Sequence, residues 1–452
     1  MDDKLTSWVE AVTGGTVASA TRSYGGGSRE MYFVDVTRPG SDGGADQYVL
    51  RVETGNGQMS GTEVSLAREA AIYRALRDTD VPVARIVAVT DDGNAFLMAK
   101  VEGSDDLSKL SDDERSAVFD DFMRSLAKLH NTDVSTLDLG PLAVPTNPED
   151  HARLDLNMWR RVADHKAQEL DPLSWYAFEW MDVNAPTSVQ RTVLVHGDSG
   201  PGNFMAHDGH VSAIVDWELA HVGDPMEDFA WIDMRGNSRA HPMTAHYDVY
   251  FRETGLTFDP AALLFYRIAV YAKCAVITQL AVEQGGGAIG FAPYLISNTR
   301  YQLLVARALT DAMGLPPITL DLPAQPPTER TALFDRAMGD LRAIRNSAST
   351  AETKQVVNSV VGLMHHFRAS DRSAHALDAL DHEDAVAVFG AASVPADALA
   401  LRAVAREAGR SGDTSVLGYL IRRAIRRAEL WGTAIAQNPV PEPPAMYVPT
   451  NS

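Results

Sequence analysis

The most informative part of the sequence comprises two segments, Leu194-Val195-His196-Gly197-Asp198-Ser199-Gly200-Pro201-Gly202-Asn203 and Ala213-Ile214-Val215-Asp216-Trp217-Glu218. In the first segment an apolar strand runs into a loop rich in Gly and Pro, and this loop places Asp198 five residues before Asn203. In the second, a short strand from Val211 to Val215 ends at Asp216. The pattern predicts that the oxygen-bearing side chains of Asp198, Asn203 and Asp216 meet at two adjacent connections.

These side chains form the set that phosphoryl transfer requires. One carboxylate orients the attacking hydroxyl and accepts its proton, which is the catalytic role expected of Asp198. An amide oxygen and a second carboxylate hold Mg²⁺ against the phosphates of ATP, which predicts Asn203 and Asp216 as metal ligands. Asp and Asn are also common turn residues, so the spacing alone could mark only a turn.

The surrounding residues make the turn interpretation the weaker one. The spacing Asp-x4-Asn matches the protein-kinase catalytic loop, and Asp216 takes the place of the aspartate in the kinase Asp-Phe-Gly motif. With His196-Gly197 in front and Trp217-Glu218 behind, the pattern resembles the aminoglycoside phosphotransferase family, which includes choline kinases. The resemblance covers about residues 13–314. It is closest to the branch of small-molecule kinases associated with acyl-CoA dehydrogenases.

The resemblance implies an α+β, protein-kinase-like fold with two lobes. Residues 1–103 would form a small β-rich N-lobe that binds nucleotide, and 104–314 a helical C-lobe with the catalytic and metal loops. A Pro-rich linker at 315–327 precedes 328–452, which lacks a strand pattern and is predicted to be helical. A segment of this length can form its own core, so we expect a separate accessory domain. It would dock on the C-lobe or promote association of two copies of the chain as a homodimer.

The N-lobe contributes the residues expected to contact ATP. Gly26, Gly27 and Ser28 lie in a Gly-rich turn between two predicted strands, and glycine lets backbone N–H groups approach phosphates. Arg51 ends the next strand, where a kinase has a lysine, and its guanidinium can also bind phosphate. Glu69 would pair with Arg51, as the helix αC glutamate pairs with the kinase lysine. The alternatives are a plain hairpin turn, a surface arginine and a solvated helix charge.

The hinge and the acceptor site are assigned by resemblance alone. Residues 96–103 resemble the family's hinge, where adenine hydrogen-bonds to the backbone, here at Ala99 and Val101. Two aromatic-rich helices within 155–183 precede the catalytic loop, where related chains often shape the acceptor site. Aromatic residues at helical spacing are more often core residues. Asp228, in a Gly-Asp-Pro-x-x-Asp motif, would brace the catalytic loop.

Composition restricts the partners. The formal net charge is −20, and all of it lies in 1–327, because 328–452 contains equal numbers of acidic and basic residues. Such a charge disfavours nucleic acid and would suit a cationic acceptor if it lined the cleft. Four arginines at 422–427 are expected to be a solvated face or a partner interface. The single cysteine, Cys274, fits a reducing cytosol, and the charged start of the chain fits no signal peptide, so we expect a cytoplasmic protein without a membrane span.

Several functions remain open from the sequence. The first is an ATP- and Mg²⁺-dependent kinase for a hydroxyl group of a small molecule, with a metabolic hydroxy compound such as a hydroxyacyl derivative favoured over an aminoglycoside antibiotic. The second is a nucleotide-binding scaffold without turnover, which the arginine in place of lysine favours. The third is a helical assembly protein, which rests on 328–452 alone.

Overall fold

The computed structural model describes residues 1–23, 29–38, 44–55, 57, 59–286, 290–324, 326–437 and 446–449. The chain divides into two compact units. The first consists of Met1–Asp155, Pro186–Leu263 and Glu442–Ser452, and the second of Leu156–Ala185 and Leu264–Pro441. This division differs from the predicted boundaries, because the segment after the Pro-rich linker groups with Leu156–Ala185 and with the residues just before the linker.

The N-terminal part of the first unit is a five-stranded antiparallel sheet in the order β1-β2-β3-β5-β4. Its elements are helix α1 (Asp3–Thr13), strands β1 (Thr16–Ser23), β2 (Glu30–Thr37) and β3 (Asp46–Val52), helix α2 (Leu66–Leu76), and strands β4 (Ile86–Val89) and β5 (Ala95–Ala99). Strand β2 alternates in burial, and Val34 and Val36 on its inner face pack in one core with Val9 of α1. This alternation is what a half-buried strand requires.

Helix α2 carries Glu69 beneath the sheet. Ser65 caps the helix, because its hydroxyl accepts the Arg68 N–H at 3.3 Å. Residues three and four apart then line one face of the helix, and this face buries Ile72 and Leu76. Glu69 lies completely buried in the first turn, so its carboxylate needs a partner inside the fold.

The rest of the first unit consists of helices and two small β-ribbons. The elements are α3 (Asp112–Asn131), the start of α4 (Asp150–Lys166), β6 (Val193–Val195), β7 (Phe204–His207), β8 (His210–Ile214), β9 (His221–Gly223), α6 (Met226–Ser238), α7 (Tyr247–Thr254) and the start of α8 (Pro260–Glu283). Strand β6 pairs with β9, and β7 pairs with β8, both antiparallel. The catalytic loop predicted from the sequence connects these two ribbons.

All secondary-structure elements in the described residues of the second unit are helices. Besides the later parts of α4 and α8, it contains α5 (Pro172–Val183), α9 (Phe291–Ala312), α10 (Thr331–Ser347), α11 (Ala351–Phe389), α12 (Ala398–Ser411), α13 (Thr414–Glu429) and α14 (Gly432–Gln437). The helical prediction for 328–437 agrees with this structure. Its longest element is α11, one continuous helix of 39 residues.

Helix α12 lies directly against α5, which explains why the predicted boundary and the observed unit differ. Arg406 donates to Glu179 at 2.7 Å and stacks its guanidinium 4.5 Å from the ring centroid of Trp175. At Gly409 a Cβ atom would lie 2.5 Å from the carbonyl oxygen of Tyr176. A linker rich in proline therefore does not mark the limit of a separate packing unit here.

The arginines of α13 are not a solvated face, which corrects the sequence-based expectation. Arg426 is buried and donates to Asp381 at 2.7 Å and to Asp384 at 3.0 Å, both on α11. Arg422 donates to both carboxylate oxygens of Asp384 at 2.7 Å. The basic stripe of α13 is thus neutralised by an acidic stripe of α11 within the same unit.

Among the described residues, one helix is long and apolar enough to cross a membrane, Pro260–Glu283. Within its most apolar window, 83% of the residues are buried inside the protein. The buried side chains include the charged residues Arg267 and Lys273. These features are typical of a core helix.

Candidate active site

The loop that follows β6 holds Asp198 close to the strand that ends at Asp216. Val215 N–H donates to the carbonyl of Asn203 at 2.9 Å, and His196 Nε2 lies 3.0 Å from the carbonyl of Val215. Burial lowers the pKa of His196, so the ring is a neutral spacer between the two segments. The two contacts of Val215, one with Asn203 and one with His196, therefore join the loop to the end of β8.

Asp228, at the start of α6, holds the loop through hydrogen bonds, as expected. Its carboxylate accepts the N–H groups of His196 at 2.9 Å and Gly197 at 3.1 Å, and the hydroxyl of Ser199 at 2.8 Å. His130 Nε2 lies 3.0 Å from the same carboxylate. Burial opposes ionisation, but the hydrogen bonds that the carboxylate accepts from His130 and from the His196 N–H outweigh it, and the pKa of Asp228 is lowered.

The side chain of Asp198 is held by two donors. Asn203 Nδ2 donates to its carboxylate at 2.6 Å, and Arg235 Nη1 donates to both carboxylate oxygens at 2.8 and 2.7 Å. Burial raises the pKa of Asp198 above its ordinary value, although the charge of Arg235 acts in the opposite direction. The carboxylate is therefore fixed in direction and more basic than one in water.

Arg235 is a site residue that the sequence analysis missed. It also donates from Nη2 to the amide oxygen of Asn203 at 2.9 Å and from Nε to the carbonyl of Pro201 at 3.1 Å. The only available signal was its position on α6, seven residues after Asp228. Seven residues are about two helical turns, so both side chains point to the same face.

Asp216 occupies a strained backbone position. Its φ angle is +68° and its ψ angle is 58°, in the left-handed region that non-glycine residues rarely adopt. Such outliers cost on the order of 1–3 kcal/mol and are concentrated at functional sites. The strained turn directs the carboxylate of Asp216 toward Arg51, which donates to it at 2.9 Å.

Arg51 is shared by several carboxylates. Its Nη1 donates to Glu69 and to Asp216, both at 2.9 Å, and Nη2 lies 3.7 Å from Glu218. Its side chain is only 12% exposed, so the alternative of a surface arginine does not describe it. The predicted partnership of Arg51 with Glu69 corresponds to this contact, whereas its role toward ATP stays a prediction.

Arg51 influences the protonation of the carboxylates around it. Burial raises the pKa of Glu69 to about 8, although Arg51 opposes the shift. Burial would also raise the pKa of Asp216, but the charge and hydrogen bond of Arg51 outweigh it and lower that pKa. A Glu69 carboxyl with this raised pKa is largely protonated at neutral pH, so the charge that Arg51 meets comes chiefly from Asp216 and Glu218.

The donor set at Asn203 and Asp216 fits Mg²⁺. Each residue offers a hard oxygen atom, which is the ligand type that Mg²⁺ prefers. Each oxygen already accepts a hydrogen bond from a cationic guanidinium, Asn203 from Arg235 and Asp216 from Arg51. Positions that attract a guanidinium in this way are suited to a metal cation, and Asn203 and Asp216 stay the predicted ligands.

A second group of potential metal ligands is buried elsewhere in the first unit. Atoms of Asp155, His221 and Glu227 lie within 4.8 Å of one another. His221 Nδ1, however, lies 3.1 Å from the carbonyl of Leu219, and Nε2 lies 3.2 Å from Glu227. Both ring nitrogens thus lie within hydrogen-bond distance of an oxygen atom of the protein. These contacts connect the group within the core.

The residues predicted to contact adenine lie at and just after the end of β5. Ala99 is the last residue of β5, and its N–H donates to the carbonyl of Arg85 at 2.9 Å. Val101 is the second residue after this strand. Their contacts to adenine stay predictions. Gly26, Gly27 and Ser28 lie outside the described residues.

Comparisons with known proteins agree with this geometry. A family model described as the phosphotransferase enzyme family (APH) matches residues 21–266, more than half of the chain. A solved Ralstonia eutropha protein classed with the aminoglycoside phosphotransferases superposes with a TM-score of 0.51 at 24% identity, over 70% of this chain and 99% of that one. This likeness supports the kinase-like fold.

The curated relatives are larger proteins. Acyl-CoA dehydrogenase family member 11 of Mus musculus is 26% identical over 47% of this chain and 29% of that protein. The Homo sapiens protein of the same name is 27% identical over 41% of this chain and 25% of that protein. The chain thus spans less than a third of the length of these relatives.

The fold and site define a kinase-like phosphotransferase, as the sequence predicted. The chain belongs to the phosphotransferase enzyme family. Enzymes that transfer phosphoryl groups with this set of residues use ATP as donor and Mg²⁺ as counter-charge. The α+β, kinase-like fold and the family expected from the sequence are therefore confirmed.

Proposed function

We propose that this protein transfers the γ-phosphoryl group of ATP, with Mg²⁺, to a hydroxyl group of a small metabolic molecule. One observation carries the proposal above all others. Asp198 contacts Asn203 at 2.6 Å, and Asn203 is joined through its carbonyl to Val215, the residue before Asp216. The proposed base, Asp198, and the proposed metal ligands, Asn203 and Asp216, are therefore linked by hydrogen bonds between two neighbouring segments.

Asp198 acts as the base in this proposal. Its buried carboxylate orients the acceptor hydroxyl and takes its proton as the oxygen attacks, and the raised pKa makes it a better proton acceptor. Arg235 and Asn203 fix its direction through the hydrogen bonds described above. Orienting the two reactants supplies a large part of the rate in reactions of this kind.

Asn203 and Asp216 would hold Mg²⁺, which when bound neutralises the charge that develops on the phosphoryl oxygens. Arg51 offers a permanently charged guanidinium next to this position and is itself held by Glu69. An arginine binds phosphate with a forked pair of donors, so it can replace the usual lysine. This argues against a scaffold without turnover.

The acceptor is proposed to be a hydroxyacyl compound. The curated relatives carry the name of acyl-CoA dehydrogenases, and this chain corresponds to only part of their length. A kinase combined with such an enzyme would act on the hydroxyl group of a related acyl molecule. An aminoglycoside acceptor is the second candidate that the sequence left open.

The test is ADP formation by the full chain with ATP and Mg²⁺ on a panel of hydroxyacyl-CoA compounds, hydroxy acids, choline and kanamycin. The matched variant is Asp198→Asn, which keeps the size of the side chain but removes the base. We expect its turnover to fall by about 10²–10⁴ while nucleotide binding persists. Turnover equal to that of the wild type would disprove the role of Asp198, and no ADP formation with any member of the panel would contradict the proposed acceptors.

A further inference from the structure

Helix α6 presents two arginines to the catalytic loop. Asp228, Arg235 and Arg239 follow one another at intervals of seven and four residues, so they lie along one face of the helix and its C-terminal end. Asp228 contacts the start of the loop and Arg235 contacts Asp198 in its middle. Arg239 continues the same line at the end of the loop.

Two glycines of the loop permit this close approach. At Gly200, a Cβ atom would lie 3.2 Å from Cβ of Arg235 and 3.3 Å from Cα of Ile232. At Gly202, a Cβ atom would lie 2.3 Å from the guanidinium of Arg239. The φ angles of the two glycines, +128° and +93°, also disfavour other residues. The guanidinium of Arg239 therefore lies directly over the loop that carries Asp198.

The two arginines differ in what they already bind. Arg235 uses Nε, Nη1 and Nη2 on Pro201, Asp198 and Asn203. Arg239 is exposed, and across the described parts of the chain its side chain makes no hydrogen bond or ion pair. Its guanidinium lies against Gly202, four residues after Asp198 in the loop, and close enough to Asp198 for their charges to interact.

The electrostatic surroundings of Arg239 are mixed. Partial burial, together with repulsion from Arg235, lowers the pKa of Arg239. His241 interacts with the charge of Arg239 and also with that of Arg115. The opposing acidic groups are Asp105 and Asp198, and Asp198 is already bound by Arg235. Asp105 is therefore the nearby acidic group that is not already bound by Arg235.

We propose that Arg239 binds an oxyanion, a carboxylate or a phosphate, of the same molecule that presents its hydroxyl to Asp198. The inference rests on the proposed function and specifies its substrate class. A guanidinium with unused donors recognises a planar or tetrahedral oxyanion through paired hydrogen bonds. A polycation such as an aminoglycoside would meet Arg235 and Arg239 at the same place, so their charges select against it.

The first experiment compares acceptors in matched pairs that differ only in the anionic group. The pairs are 4-hydroxybutyrate with 4-hydroxybutyramide and glycerol 3-phosphate with glycerol, and kanamycin serves as the polycation. We expect the wild type to prefer the charged member of one pair, which also tells carboxylate from phosphate. In Arg239→Gln this preference, measured as a ratio of kcat/KM, should fall roughly ten- to hundredfold. In Arg252→Gln, which alters an exposed arginine of α7, it should persist.

The second experiment measures binding without turnover and keeps the inference testable if no acceptor of the panel reacts. With the nucleotide site filled by AMP-PNP and Mg²⁺, sulfate is titrated against the thermal midpoint of the full chain. Sulfate should stabilise the wild type and Arg252→Gln, and Arg239→Gln should need roughly tenfold more sulfate for the same shift.

Three results would overturn the inference. The first is equal sulfate dependence in wild type and Arg239→Gln. The second is preferred turnover of kanamycin, which would leave the proposed phosphotransfer intact while refuting an anionic acceptor. The third is a weaker affinity of Arg239→Gln for AMP-PNP with an unchanged acceptor preference, because the arginine would then bind the nucleotide. Failure of the proposed function itself would appear separately, as the absence of ADP formation with every compound.

Discussion

Arg235 donates to both carboxylate oxygens of Asp198, at 2.8 and 2.7 Å, across 37 residues of sequence. The contact joins the end of a helix to the predicted catalytic base. One guanidinium nitrogen, Nη1, makes both hydrogen bonds and keeps a positive charge beside the carboxylate. The direction of the carboxylate is therefore fixed within the fold.

The first prediction concerns this contact. Burial raises the pKa of Asp198 and the charge of Arg235 opposes that shift, so Arg235→Gln should raise the pKa further. The base must be deprotonated, and the acidic limb of the kcat/KM profile should therefore move to higher pH. We expect kcat to fall roughly ten- to hundredfold as well, since hydrogen bonds to a charged group are lost.

Arg235→Lys is the matched control, because it keeps the positive charge but loses the several donors of the guanidinium. The acidic limb of its kcat/KM profile should stay close to that of the wild type. Its kcat should lie between those of the wild type and Arg235→Gln. A profile of Arg235→Gln that coincides with the wild-type profile would mean that Arg235 does not act on Asp198 through its charge.

The second prediction concerns the metal. In Asp216→Asn the half-saturating Mg²⁺ concentration for AMP-PNP binding, followed by calorimetry, should rise at least tenfold, because a charged oxygen ligand becomes neutral. Asparagine tolerates the left-handed backbone of this position better than most residues, so the fold should be retained. An unchanged Mg²⁺ requirement would exclude Asp216 as a ligand.

The third prediction concerns Gly197, where a larger residue would cost stability for two reasons. One is the close approach of Leu219, and the other is the positive φ angle. Its φ angle is +78°, and a Cβ atom would lie 2.4 Å from the carbonyl oxygen of Leu219. Gly209, in the turn between β7 and β8, has a φ angle of +80° but open space around the Cβ position. Gly209→Ala should cost only the conformational penalty of about 1–2 kcal/mol.

Gly197→Ala should lower the free energy of unfolding by clearly more than Gly209→Ala, because the backbone of Leu219 must also move. Urea denaturation of both variants measures the difference. Equal losses at the two positions would show that the loop yields to the added methyl group without cost.

Much of the site could be predicted because its signals are local in sequence. The interval from Asp198 to Asn203 and the position of Asp216 after a short strand indicate which side chains lie close together, and the structure places them at connected segments. The contact between Arg51 and Glu69 could be expected from the order of strand and helix. The contact of Arg235 with the loop could not be predicted, because a single arginine near a helix end has no distinctive pattern. Only its distance of two turns from Asp228 relates it to the loop.

The domain boundary was missed for a different physical reason. Proline predicts where a helix cannot continue, but it carries no information on what packs against the next helix. The available signal was Glu179, an acid among aromatic residues of α5 that is only 1% exposed. A buried carboxylate needs cationic partners, and these come from α12, more than two hundred residues later.

The last prediction tests this packing. Glu179 accepts from Arg406 at 2.7 Å and from Arg410 at 2.9 Å, and the side chain of Arg410 is half exposed whereas that of Arg406 is 26% exposed. Arg406→Met should therefore destabilise the fold by about 3–5 kcal/mol, because it leaves a buried charge poorly neutralised and removes the guanidinium from Trp175. Arg410→Met is the matched control and should cost less than about 1 kcal/mol, as an exposed ion pair does. Chemical denaturation followed by tryptophan fluorescence compares the two, and equal losses would mean that Glu179 does not depend on the more buried arginine for its neutralisation.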